Sequence, residues 1–593
     1  MRSIALGCFA LSGIAMTLSI PSTAADSSSN PEDAKLAAFF KAYLESEFQR
    51  HPLAATRAGD HRFDDRLDDL SPAAQDADIR ATRDALRRLP REIRYDALSR
   101  SGQIDFEILK HVLDYALWRS ENDNQYQNNP LLYNEVLSDS VFLLLTQSTL
   151  PHEQNVRNAA ARIQQIPAVI AAAKASLRHP PRIYTDTAIE RNRGAIAFFE
   201  SGIFQLAGES PMTSVLAEPC RAAIGALRDY QKFLESDLAP RSTGDWRIGR
   251  EKFSRKLDLE LDAGLSADDV LREAESEAAR VEAAMVVISR QLWVRLFPKK
   301  PVPPDDAPGR RQLVALVLAE LAKDHGSVDN LVADARTTVE RIQSFIRSRD
   351  VLRLPEPDRC QIVEMPEFQR GFSVAYLNAA PPLDPKAASL YAVSPPPRDW
   401  DARRVQTYLE EYNRHMLQIL TIHEAYPGHY VQLEYSNRCP SLVRAINSNG
   451  VFVEGWAVYT EQMMLDEGYG DGDLALRLHQ LKFYLRAVIN AILDHRMHCD
   501  GMTDEQALDL LRDRGYQSDA EAVGKIKRAK LSSCQLSTYF VGRTALHRLR
   551  QSIQRELGDA FDLGRYHEAV LDFGSPPVKY LPELVRERLK KPR

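Results

Sequence analysis

Apolar residues recur every three or four positions along most of this chain. LAAFFKAYLESEFQRHP, ARIQQIPAVIAAAKASLRHPP and RDYQKFLESDLAPR carry that period, and proline stops each of them. ADDVLREAESEAARVEAAMVVISRQLWVRLF is longer and rich in Ala, Glu, Arg and Leu, which keep their rotamer freedom in a helix. Ser266, just ahead of it, is placed to cap its first turn. Strict alternation is scarce. CQIVEMPEF and FSVAYLNAA carry it best and predict a small sheet near 360–395. The pattern therefore predicts a mainly α protein with at most a small β-sheet.

Prolines divide the pattern. FPKKPVPPDDAPGR, 297 to 310, reads as a surface loop between helices. VSPPPRDW, 393 to 400, separates the strand-like stretch from a second helical block. We thus expect a helical region over 26–400, including the strand-like segment, and a helical region over 401–593. DEGYGDGD, 466 to 473, lacks the order and closing Glu of a calcium loop and reads as a helix-to-helix connection. There is no internal repeat.

The N-terminus departs from this. One positive charge, an apolar run from Ile4 to Ile20, Pro21 and then small residues predict a secretory signal peptide over 1–25 and a periplasmic or secreted product. Ala5-Leu6-Gly7-Cys8 resembles a lipoprotein site only superficially, because most of the apolar run follows it. No later stretch has the length of a membrane span, so no stable membrane anchor is expected after cleavage. The 593 residues are 44% hydrophobic and 27% charged, with a net charge of −6. That balance suits a soluble protein with a sizeable core. It offers no basic block for nucleic acid. Beyond Cys8 the cysteines are 220, 360, 439, 499 and 534, an odd number without a CxxC, which argues against a cysteine zinc site. The sequence carries no signal for an oligomeric state.

The candidate chemistry starts at HEAYPGH, 423 to 429. A zinc hydrolase needs about three protein ligands, an open position for water and a carboxylate to take the water's proton. In a continuous HExxH helix the two histidines lie one turn apart. Here His423 and His429 are six residues apart, roughly 120° off-face on an unbroken helix. Val405, Leu409, Tyr412, Met416, Leu420 and His423 keep helical spacing, which puts His423 near the end of a helix on its buried stripe. Such a histidine also fits an ordinary core position. Pro427 removes the backbone bond back to His423, and Gly428 tolerates unusual backbone angles. The pair breaks the helix where His429 must swing back. Downstream, Glu454 and Glu461 are seven apart in the apolar segment SNGVFVEGWAVYTEQMML and share one helix face. Buried carboxylates require charge, metal or hydrogen bonds; otherwise both must reach solvent.

Glu-Gly-Trp-Ala-x-Tyr-x-Glu resembles the second signature of the gluzincin aminopeptidases. The nearer resemblance is to the bacterial domain of unknown function 885 family. Its members carry His-Glu-Ala-Tyr-Pro-Gly-His, then Glu-Gly-Trp-Ala, then Tyr-x-x-Gly, matched here at 423–429, 454–457 and 539–542. HPLAATRAGDHRFDDRL and LELDAGLSADDVL extend the likeness over most of the chain. The resemblance implies a large, helical, two-lobed architecture with a central groove. It implies His423, His429 and Glu454 as ligands of Zn2+, and Glu424 as general base. It also implies Asp494 and His498 as an Asp-x-x-x-His pair. By their spacing these two either orient a ligand or a substrate carbonyl, or merely stabilise a helix. Tyr539 is the candidate oxyanion donor, with His498 beside it. Arg486 and Arg543 are candidate contacts for substrate, and Glu461 a candidate support for a ligand. Lysine is the family's usual residue at the place of Arg543, and the family tends to a proline within RAKLSSCQLSTYF.

The expected activity is that of an exported zinc metallopeptidase hydrolysing short peptides by metal-activated water, with Glu424 as general base. Two other readings share the motifs: a metal-dependent amidase acting on a cell-wall or other non-peptide amide, and a non-catalytic periplasmic binding protein. The base Glu424 beside His423 weighs against the last, since a structural metal needs none. No GxSxG elbow, Walker A loop or Rossmann fingerprint is present.

Overall fold

A computed structural model describes residues 30–208, 211–365, 370 and 375–591. The expected signal peptide lies outside them. Helices dominate, and the strands among the described residues form one three-stranded sheet. The mainly α expectation holds.

The long helix forms as its pattern dictates. It spans Ala267–Leu296, and the Ser266 hydroxyl accepts from the Asp269 N–H at 3.1 Å. Val270, Ala274, Ala278, Val281 and Met285 make its buried stripe. That stripe packs along the helix Leu474–Cys499, which is buried on nearly every face and forms the centre of the molecule. The stripe running toward His423 is not one helix. It breaks into Ala402–Glu411 and Arg414–Glu424 at Asn413, whose side chain accepts from the N–H groups of His415 and Met416.

In the sheet, β1 (Cys360–Glu364) runs parallel to β3 (Ser389–Val393), and β2 (Ala375–Asn378) runs antiparallel on the other side of β3. The order β1-β3-β2 leaves β2 at an edge. β3 was not expected. SLYAV is a short apolar run buried on both sides, so it shows no alternation.

Among the described residues the packing gathers into three apolar cores. One apolar core runs from Phe253 to Val585 and includes the sheet and both signature segments. A second runs from Leu53 to Leu238. A third joins the first helices to Val443, Tyr580 and Leu584. The proline-rich stretch at 393–400 therefore lies inside a core-sharing unit, and the change of core falls between 238 and 253. Among the described residues all five cysteines are free, and no helix is long and apolar enough to cross a membrane.

Candidate metal centre

The signature turn has the break its sequence predicts. One helix ends at Glu424 and the next begins at His429. Gly428 has the unusual backbone angles expected of it: φ is −71°, but ψ is −131°, outside both the helical and the extended range. A Cβ there would lie 1.9 Å from the His423 carbonyl oxygen and 2.3 Å from that of Ile422. Only a hydrogen fits as the chain folds back over the helix end. Three bonds pin the turn. The Trp456 Nε1–H donates to the Pro427 carbonyl at 2.8 Å, and the Tyr426 and Tyr430 hydroxyls both donate to Asp358.

Glu454 comes from the helix Gly450–Asp466. This helix crosses Thr538–Leu557 at a glycine-on-glycine contact. A Cβ on Gly455 would sit 2.4 Å from the Gly542 Cα, and one on Gly542 would sit 1.9 Å from the Val451 carbonyl oxygen. The Gly of Glu-Gly-Trp-Ala and the Gly of Tyr-x-x-Gly are thus two halves of one contact. Glu454 precedes the first, and Tyr539 lies one turn before the second.

The fold brings His423, His429 and Glu454 together. Their candidate ligand atoms all lie within 4.8 Å of one another. Glu454 Oε2 is 3.5 Å from His429 Nε2 and 3.9 Å from His423 Nε2, and the imidazoles stand nearly perpendicular at 87°. Tetrahedral bonds of about 2.1 Å to zinc would place ligand atoms roughly 3.4 Å apart. The two histidines and the carboxylate therefore fit such an ion with little adjustment. Glu461 Oε1 lies 2.7 Å from His423 Nδ1, a contact that directs Nε2 toward the centre.

Electrostatics agree with the geometry. Burial, then the neighbouring His429, push the His423 imidazole down to about 3, leaving it neutral with a lone pair to offer. At His429 burial acts downward but Glu454 outweighs it, and the net shift is up. Burial raises the Glu454 carboxyl, yet His429, His423 and the Tyr539 hydroxyl hold it below its ordinary range. Burial pushes Glu424 up to about 7, opposed by His429 and by the backbone N–H of Leu377 on β2, with Glu454 adding to the rise. A carboxylate near neutrality suits proton transfer. A second grouping, Glu47, His51 and Asp78, is a surface ion network in which Arg50 already meets both carboxylates.

His423, Glu424, Glu461, Arg486 and Tyr539 line one cleft of about 270 Å3. Arg486 is already paired there with Glu521 at 2.9 Å. The Arg528 guanidinium donates to the Tyr539 oxygen at 3.1 Å, which favours the phenol as a donor in its turn.

Three expected residues stand elsewhere. His498 does not reach the centre. Its Nε2–H donates to the carbonyls of Ala529 and Ser532, and its ring packs on Phe253 and Trp246. Asp494 accepts from the Cys534 N–H at 3.1 Å and the Ser537 hydroxyl at 3.2 Å. Helix Leu474–Cys499 is buried all round, so the i, i+4 spacing could not show which way this pair faces. Both residues pin the loop that delivers Tyr539. Arg543 lies over the Tyr484 ring, bonds Gln462 and lines a separate cavity with Glu273 and Glu277. Lys525 and Arg528 were missed. They line the cleft, but in sequence they look like ordinary charges of an exposed helix.

Residues 52–585 match the family described as "Bacterial protein of unknown function (DUF885)", and the chain belongs to that family. Two solved structures share its fold over nearly their whole length. A "putative lipoprotein of unknown function" from Shewanella oneidensis is 31% identical, with a TM-score of 0.78, covering 93% of this chain and 99% of its own. A "putative lipoprotein" from Colwellia psychrerythraea is 18% identical, with a TM-score of 0.78 and coverages of 95% and 100%. Among curated proteins none matches the chain.

Proposed function

We propose that the protein is an exported, zinc-dependent metallopeptidase. The observation that carries this reading is the convergence of His423, His429 and Glu454 beside a carboxylate, Glu424, whose proton affinity lies near neutrality. Export is supported by the leader-like N-terminus and by the description of the 31% identical structural relative as a "putative lipoprotein". The likeness of Glu-Gly-Trp-Ala to the gluzincin signature supports the reaction class.

The two imidazoles and Glu454 would hold the ion, and when bound it would supply a Lewis acid that polarises the scissile carbonyl and acidifies water. The chain's own groups do the rest. Glu424 accepts the proton from the attacking water at its carboxylate and returns it to the leaving amine. Tyr539, turned into the cleft and bonded by Arg528, donates to the developing oxyanion. Glu461 fixes the orientation of His423. The cleft is at the small end of ligand sites, which favours short peptides over folded proteins.

The test is a peptide-library digest read by mass spectrometry, with wild type beside Glu424→Gln. Cleavage that disappears in the variant supports the assignment. Zinc-loaded protein that cuts no peptide overturns it and turns attention to non-peptide amides.

A further inference from the structure

The cleft has an acidic side and a basic side. Glu424 and Glu461 line it beside the metal centre. Arg486, Lys525 and Arg528 face into the same space from helices Leu474–Cys499 and Asp519–Leu531. Arg486 is neutralised by Glu521 at 2.9 Å. The other two are not. Arg528 donates to the neutral acceptors Gln535 Oε1 at 2.8 Å and Tyr539 Oη at 3.1 Å. Lys525 is only 6% exposed, and among the described residues no hydrogen bond or ion pair reaches its ammonium.

Glu521 and Glu454 act on the ammonium, but neither closes to an ion pair with it. Burial, then the adjoining Arg486 and Arg528, accordingly hold Lys525 well below its usual range. Lys525 and Arg528 are three residues apart and so share a helix face. A planar guanidinium fork beside a primary ammonium is the donor set that receives a carboxylate. Arg528 also touches Tyr539, so an anion held there lies next to the reacting carbonyl.

We propose that Lys525 and Arg528 form a subsite for a carboxylate of the substrate, holding it while the neighbouring amide lies at the metal centre. The substrates are then short peptides that carry a carboxylate close to the scissile bond, either the C-terminal carboxylate or an acidic side chain. The proposal rests on the peptidase reading for its substrate, but its test is binding rather than turnover.

In zinc-loaded Glu424→Gln protein, calorimetry compares Ala-Ala-Ala, its C-terminal amide, and the amide of Ala-Glu-Ala. The free acid is expected to bind at least tenfold tighter than its amide. If the Ala-Glu-Ala amide recovers that affinity, the subsite takes a side-chain carboxylate; if it does not, the subsite takes the chain terminus. Adding Lys525→Met is expected to remove most of the preference while the thermal midpoint holds or rises, because no hydrogen bond or ion pair goes with the ammonium. A purely structural lysine would lower the midpoint and leave the preference intact, and that result overturns the proposal. Equal binding of all three probes, or no binding of any probe, overturns it too. A preference for the acid in a protein that cuts no peptide would keep the subsite and remove the peptidase reading.

Discussion

Gly455→Ala tests how the site is positioned without touching a ligand. The added Cβ would meet the Gly542 Cα and carbonyl carbon at 2.4 Å. Carbon atoms in contact settle at about 3.5–4.0 Å, so the two helices must part by roughly 1 Å. Overpacking of this kind costs about 1–3 kcal/mol of stability. The functional loss should be larger, because the crossing sets Glu454 on one helix against Tyr539 on the other. A displacement of about 1 Å at a catalytic group costs on the order of 100-fold in rate. Gly450→Ala supplies the control. It lies at the start of the same helix, and a Cβ there meets nothing within 4 Å. The assays are thermal unfolding and zinc affinity by competition with a chelator. Gly455→Ala should lower the midpoint and weaken zinc at least tenfold, whereas Gly450→Ala should change neither. Equal behaviour of the two variants would refute the claim that the glycine crossing positions the centre.

Other outcomes follow from the same geometry. Trp456→Phe removes the donor to Pro427 and leaves that carbonyl unpaired, so it should cost about 1–3 kcal/mol in urea unfolding and loosen zinc. His498→Ala should lower stability yet retain a ligand-competent centre, seen as wild-type zinc stoichiometry; loss of zinc would contradict its placement away from the cluster. Asp494 gives a pH signature. Burial raises its carboxyl from 3.8 to about 7, so the folded state holds the proton longer than the unfolded state does. Ionisation therefore erodes stability as pH rises from about 4 to about 7, by up to about 4 kcal/mol in full. Asp494→Asn should match wild type near pH 4 and exceed it above pH 7; parallel curves would refute the assignment.

The chemistry was more legible in the sequence than its supports. HEAYPGH announces its own geometry, because Pro427 and Gly428 interrupt the helix between two histidines that a continuous helix would separate. Even there one of the two reasons for Gly428 was hidden. Its neighbours are the carbonyls of Ile422 and His423, and no backbone-angle argument reveals a close approach. Glu461 was readable as a partner for the site from its seven-residue spacing to Glu454. Asp494 and His498 were readable as a pair but not by direction, since a helix buried on every face has no stripe to orient it. Gly455 and Gly542 sit in separate motifs, and only the fold makes them one contact. Lys525 and Arg528 were illegible, because a charge on an amphipathic helix carries no mark of whether a carboxylate awaits it. The strand Ser389–Val393 escaped for a related reason: burial on both faces erases the alternation by which strands are recognised.

The central claim is that one ion closes across the broken helix. Diffraction from zinc-equilibrated crystals, recorded on both sides of the zinc absorption edge, tests it most directly. The account predicts a single anomalous peak about 2.0–2.2 Å from His423 Nε2, His429 Nε2 and a Glu454 carboxylate oxygen. No peak at that point, or zinc held instead by Glu47, His51 and Asp78, would contradict it.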